Sequence, residues 1–261
     1  MKQLLKLLVD NRNKGFFKSE PIVNVGDQDE TTIYLYDMIV SDDLTAEWCG
    51  GVSPQAFVIA LSKINAKIIH LRINSPGGDV FAARAIEQAL KEHSSKVIAH
   101  IDGVAASAAS FLAMAADEIV MNEGAFLMIH KASTLTYGNS DELIEQASLL
   151  EKIDDSLANT YANKSGKSKE DILQWMADET WFSAQEAIDN GLADQIFTES
   201  TAVKNDWNMS AYKNSPTVLI DQGGNPNSEP SPVLPDNEAI KSAPQNVDHL
   251  KRKLQLIQRG I

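Results

Sequence analysis

Short apolar runs alternate with stretches whose apolar residues recur every three or four positions, and this alternation fills most of the chain between residues 31 and 199. Thr32-Ile33-Tyr34-Leu35-Tyr36 and Met38-Ile39-Val40 predict a strand that leads into an acidic loop at Asp42 and Asp43. Ser53-Pro54 followed by Phe57, Ala60, Leu61 and Ile64 predicts a helix with Ser53 as its cap and proline in the first turn. Residues 67–73 predict a buried strand, and Val80, Ala83, Ile86, Ala89 and Leu90 an amphipathic helix ending near His93. The unit then repeats: Lys96 to Ile101 is the strand, Gly103 the expected turn, and Ala105 to Ala116 a helix of small residues suited to close packing. Glu118-Ile119-Val120-Met121 and Ala125-Phe126-Leu127-Met128-Ile129 predict two more strands around the turn Asn122-Glu123-Gly124, with His130 at the end of the second.

Beyond Ser140 the spacing lengthens. Leu143, Ala147, Leu150, Ile153, Leu157 and Tyr161 predict one long helix, stopped at Gly166, that reaches past a single core. Ser168 with Asp171, and Ser183 with Glu186, have capping-box spacing, and Asn190-Gly191 closes the second helix. Asp178, Glu179 and Thr180 fall between these two helices. Strand, loop and helix in repetition give an α/β fold for residues 31–199. Residues 1–30 are expected to form an N-terminal arm, 200–245 a linker rich in Pro, Gly and Asn, and 246–261 a short amphipathic helix with a basic face.

Composition narrows the possible functions. With 261 residues, 43% of them hydrophobic, the chain can bury one sizeable core. A formal net charge of −13 argues against nucleic acid and against anionic membrane surfaces, both of which reward a basic face. Cys49 is the only cysteine, so no internal disulfide is possible, and a reducing compartment such as the cytoplasm is expected. Lys6 and Asp10 interrupt the apolar start, which reads as an amphipathic arm, and no later run reaches the roughly 18 apolar residues of a membrane span.

Two segments carry the chemistry. Ile73-Asn74-Ser75-Pro76-Gly77-Gly78 and Gly103-Val104-Ala105-Ala106-Ser107-Ala108-Ala109-Ser110 each end an apolar strand and open a helix, at the sheet edge where α/β proteins build sites. A serine hydroxyl becomes a nucleophile when an imidazole, oriented by a carboxylate, removes its proton, and Ser107, His130 and Glu179 occur in that order. Each also has a plainer reading: Ser107 as a small packing residue, His130 as a strand-end side chain, the glycines as a turn. Functionally, glycine N–H groups stabilise a developing oxyanion, at about 3 kcal/mol per donor. His70, His93, His100 and His249 lack zinc-ligand spacing, and the glycine loop lacks a Walker lysine and the dinucleotide pattern, so neither metal nor cofactor is expected.

Taken with Met128-Ile129-His130, Ser183-Ala184-Gln185-Glu186-Ala187 and Gly191-Leu192-Ala193-Asp194, these segments resemble the Clp protease proteolytic subunit (ClpP) family of serine peptidases. Asn74-Ser75-Pro76-Gly77-Gly78-Asp79-Val80-Phe81-Ala82-Ala83, Asp178-Glu179-Thr180-Trp181-Phe182-Ser183-Ala184 and the polar tail resemble its phage head-maturation branch. The resemblance implies a ClpP/crotonase-like fold of repeated β-β-α units with a projecting handle helix, and homo-oligomeric rings. It implies Ser107 as nucleophile and His130 as general base. It also implies the N–H groups of Gly77 and Ala108 as the oxyanion hole, with Gly78 beside them at a strand-like substrate groove. Glu179 stands where the family usually has aspartate, with Asp178 as its rival. The expected activity is cleavage of scaffold and capsid proteins in a prohead, or general protein degradation with a Clp-type ATPase. From other classes, a crotonase-type acyl-CoA enzyme and a non-catalytic assembly factor remain open.

Overall fold

The alternation of the sequence becomes an eight-stranded mixed sheet in a computed structural model that describes residues 3–12, 14–21, 30–198 and 207–219. Its strands are β1 (Phe16–Pro21), β2 (Glu30–Tyr36), β3 (Ile68–Ser75), β4 (Lys96–Ala106), β5 (Glu118–Asn122), β6 (Phe126–Ile129), β7 (Thr180–Ser183) and β8 (Gln195–Phe197). The order is β1-β2-β3-β4-β5-β8, with β6 joined to β4 and β7 to β6. All neighbours pair in parallel except β1 with β2 and β6 with β7. The sheet forks along β4, whose first half pairs with β5 and whose last residues, Val104 to Ala106, pair with β6. Parallel strands deliver their carboxyl ends to one edge. The fork therefore brings the residues after β3, β4 and β6 together: the glycine loop, Ser107 and His130.

Helices α1 (Gln3–Asp10), α2 (Asp43–Cys49), α3 (Pro54–Leu61), α4 (Val80–Glu92), α5 (Ala108–Ala113), α6 (Ser140–Ser165), α7 (Lys169–Ala177) and α8 (Ala184–Asp189) complete the described elements, with a 3-10 turn at Thr217–Leu219. Successive strand residues face opposite ways, so β4 serves two cores. Ile101 and Ala105 join Ile33, Leu71, Ile73, Ile86, Phe111 and Tyr161 in the larger one. Val104 and Ala106 face the smaller one, with Met38, Val40, Met128, Leu7 of α1, Trp207, Met209 and Tyr212. Helix α6 buries Leu157 and Tyr161 and packs Ile153 against its own core. Its first half stands away, leaving Leu143 at 43% and Ile144 at 64% exposure.

Several expected caps are present. Ser53 and Asp79 cap α3 and α4, Ser183 and Glu186 form a full capping box, and Gly166 ends α6. Ser168 caps α7 through the Asp171 N–H alone, without the reciprocal half of a box. Gly103 does not turn the chain. It lies inside β4, where a Cβ would sit 2.9 Å from Asn74 Oδ1, so the small residue serves close approach, and the turn falls at Ser107. Helix α5 is correspondingly shorter than the small-residue run suggests. Strands β1, β7 and β8 and helix α2 are additions to the sequence reading. Of the stretch expected to be a linker, residues 207–219 pack with Trp207, Met209 and Tyr212 buried, whereas 220–245 and the expected helix at 246–261 lie outside the described residues. No helix among the described residues is long and apolar enough to cross a membrane.

Candidate active site

The site is built on one strained turn. Ser107 follows β4 with φ 56° and ψ −122°, outside the regions that side-chain-bearing residues favour. Its N–H donates to Met128 O at 2.9 Å, and its carbonyl accepts from Phe111 N–H at 3.1 Å and from the Ser110 hydroxyl at 2.8 Å. Bonds to β6 on one side and α5 on the other hold the serine at the tip of a strand-to-helix elbow, the geometry that projects a hydroxyl out of a sheet edge.

Register supplies the imidazole. Ala106 pairs with Met128, so the chain leaving β6 places His130 beside Ser107, with Oγ and Nε2 2.7 Å apart. The following residues are pinned, Lys131 N–H to Met176 O at 3.0 Å and Ala132 N–H to Asp154 Oδ1 at 2.7 Å. Burial pushes the His130 pKa down to about 4, outweighing the upward pull of the Glu179 charge. The ring is thus neutral at pH 7, with a nitrogen free to accept a proton.

The two neighbouring carboxylates line one cavity with His130 but have different partners. Asp178 caps α7, and its exposed side chain accepts from Gln174 Nε2 at 2.8 Å. Glu179 takes the left-handed φ of 50° as the chain enters β7, paired with β6 from Ile129↔Thr180 onward. Glu179 is the carboxylate whose charge acts on His130. Its Oε1 accepts the Asn214 N–H at 2.7 Å and faces Trp181 Nε1 at 3.5 Å.

The glycine loop passes against the serine turn. A Cβ on Gly77, whose φ is 91°, would lie 2.5 Å from Ala106 O, 2.9 Å from Ser107 Cβ and 3.2 Å from Ala108 N. Only glycine permits that approach. The loop is fastened to the chain after β2: Ile39 N–H donates to Gly77 O, and Asp79 N–H to Ile39 O, each at 2.9 Å. Gly77 N–H, the donor expected to face an oxyanion, is instead directed to Ser75 Oγ at 3.2 Å within the loop. Gly78 lines the cavity of about 40 Å³ that also touches Ser107, His130, Leu7 and Tyr212.

Tyr212, Trp181 and Asn214 reach the site without having been singled out from the sequence. The one available signal is a spacing of large apolar residues, Trp207, Met209 and Tyr212, inside a polar stretch. Elsewhere, His70 Nδ1 lies 2.9 Å from His100 Nε2, with Glu30 Oε2 3.1 Å from His70 Nε2, on strands away from the serine. Among the described residues no three His, Cys, Asp or Glu side chains are placed to hold a metal ion.

Residues 29–200 match the Clp protease family. Among curated proteins, the chain is 31% identical over 140 residues to the ATP-dependent Clp protease proteolytic subunit 2 of Cutibacterium acnes, covering 53% of this chain and 66% of that relative. It is 31% identical over 134 residues to the ATP-dependent Clp protease proteolytic subunit of Deinococcus radiodurans, covering 51% and 66%. To the subunit of the same name from Pleurastrum terricola it is 28% identical over 162 residues, covering 58% and 82%. The chain therefore spans just under two thirds of the length of the first two relatives.

Proposed function

The chain belongs to the Clp protease family, and from that premise we propose that it is a serine endopeptidase with Ser107, His130 and Glu179 as its triad. The observation that carries this reading is the 2.7 Å contact between Ser107 Oγ and a neutral, half-buried His130 Nε2. Ser107 Oγ attacks the scissile carbonyl as its proton passes to His130 Nε2, and the Glu179 charge stabilises the imidazolium that forms. The N–H groups of Gly78 and Ala108 receive the oxyanion; Gly78 is favoured for this role because it lines the cavity while Gly77 N–H is engaged with Ser75. The tetrahedral intermediate collapses, His130 returns the proton to the leaving amine, and water repeats the sequence to release the acid.

The substrate is an unfolded polypeptide. The relatives' names, ATP-dependent proteolytic subunits, support general protein degradation with an ATP-driven partner more than capsid processing. The exposed half of α6, with Leu135 at 72% and Tyr137 at 97% exposure just before it, supports assembly with further copies. Incubation with casein, an unstructured protein, is expected to yield many fragments, with a pH profile whose acid limb falls near pH 4 as His130 takes up a proton. An acid limb near the ordinary histidine value, about 6.5, would contradict the depressed pKa of the base. Cleavage confined to phage coat and scaffold proteins would restore the head-maturation reading.

The two carboxylates separate in a second experiment. Glu179→Gln is expected to lower kcat by roughly 10²- to 10⁴-fold, as loss of the orienting acid does in serine peptidases. Asp178→Asn, whose side chain contacts Gln174 instead, is expected to change kcat by less than about twofold. The reverse order of effects would assign the role to Asp178.

A further inference from the structure

The family match ends at residue 200, yet the next described segment, 207–219, reaches the glycine loop, His130 and Glu179. It is anchored first at its start. Asn208 N–H donates to Asn11 Oδ1 at 2.6 Å, Asn11 Nδ2 returns a bond to Asn208 O at 3.0 Å, and Lys6 Nζ donates to Ser210 O at 2.9 Å. Trp207 is buried and its Nε1–H donates to Asn74 O at 3.0 Å, just before the glycine loop.

From that anchor the segment reaches the machinery. The Tyr212 hydroxyl donates to Pro76 O at 2.5 Å, and Tyr212 lines the same small cavity as Ser107. Its ring meets His130 edge-to-face, centroids 5.4 Å apart at 89°, and is backed by Trp181 at 5.8 Å. Two residues on, Asn214 N–H donates to Glu179 Oε1 at 2.7 Å, while its side chain donates to Asp178 O at 2.6 Å.

A carboxylate orients an imidazole only when it is itself held. Glutamate has one more rotatable bond than aspartate, so it needs an additional restraint, and the Asn214 N–H supplies one to a single oxygen. The Tyr212 ring closes one side of His130 and its hydroxyl ties that ring to the glycine loop. We infer that residues 207–219 are a working part of the site, with Asn214 positioning Glu179 and Tyr212 positioning His130, so that they govern turnover and not substrate affinity. The inference rests on the proposed peptidase triad.

A double-mutant cycle on peptide hydrolysis by the full chain tests it. Asn214→Pro removes the N–H and is expected to lower kcat about 10- to 100-fold with KM within about twofold. In a Glu179→Ala background the same change is expected to cost less than about twofold, because its target is gone. An equal loss in both backgrounds would show a merely structural role and overturn the inference. Tyr212→Phe keeps the packing and removes only the hydroxyl, so it reads the second arm even if the proline variant fails to fold. It is expected to lower kcat about tenfold at unchanged KM, and wild-type kcat would overturn that arm. Ser107→Ala in the same assay separates the two levels. Hydrolysis surviving it removes the triad reading, whereas hydrolysis lost with it but unaffected by Asn214→Pro and Tyr212→Phe removes only the inference.

Discussion

Ser107→Ala is expected to lower kcat/KM for peptide hydrolysis by roughly four to six orders of magnitude, the scale on which serine peptidases lose activity without their nucleophile. The argument is local. Ser107 Oγ is the atom placed 2.7 Å from His130 Nε2. The adjacent Ser110 hydroxyl is committed to Ser107 O and Met128 O, at 2.8 and 2.6 Å, and is fully buried, so it offers no substitute. Alanine keeps the Cβ and the backbone bonds to Met128 and Phe111, so the melting temperature is expected to move by no more than a few degrees, as for about 1 kcal/mol in a domain of this size. A variant that melts like the wild type and still hydrolyses peptide would place the nucleophile elsewhere.

Gly78→Ala is the second large effect, and it acts through shape. A Cβ there would lie 1.9 Å from Ile39 O, 2.8 Å from Ile39 C and 2.9 Å from Ile39 N, all backbone atoms, and φ is 148°. Ile39 cannot yield easily, because its own N–H and C=O hold Gly77 and Asp79. The loop must move instead, away from a serine turn that it meets almost atom to atom at Gly77. The strained backbone and the clash together are expected to cost about 3 kcal/mol or more of stability and to remove most of the activity. Gly124→Ala is the control, since nothing lies within 4 Å of the added carbon. Thermal melting and peptide hydrolysis of the two variants check the contrast, and equal behaviour would mean that the loop does not depend on its fastening to Ile39.

Much of this architecture is legible in the chain because it rests on local signals. The caps at Ser53 and Ser183, the glycine after α6 and the period of α4 are short-range physics, and each element appears where its pattern places it. Gly103 shows how such a signal misleads. Glycine marks a turn or a close approach equally well, and only the neighbouring strand, with Asn74 against it, decides between them. Strand β1 hides for a different reason: Phe16–Pro21 lacks clean alternation and ends in proline, acceptable at the sheet edge it occupies beside β2. Asp178 and Glu179 differ in a long-range contact, the Asn214 N–H on Glu179 Oε1, that no spacing encodes. Tyr212 lies 136 residues from the carbonyl it bonds. Its place follows from burial of the second face of β4, which becomes visible only once β4 is known to run to Ala106 and to present Val104 and Ala106 to a separate core.

The central claim, that Ser107 is activated by His130, is tested most directly by treating the folded protein with a fluorophosphonate and mapping the adduct by mass spectrometry. The predicted result is one adduct, on Ser107, formed at least about 10²-fold more slowly in His130→Ala, where no base takes the proton. An adduct on another residue, or labelling of Ser107 at the same rate without His130, would contradict it.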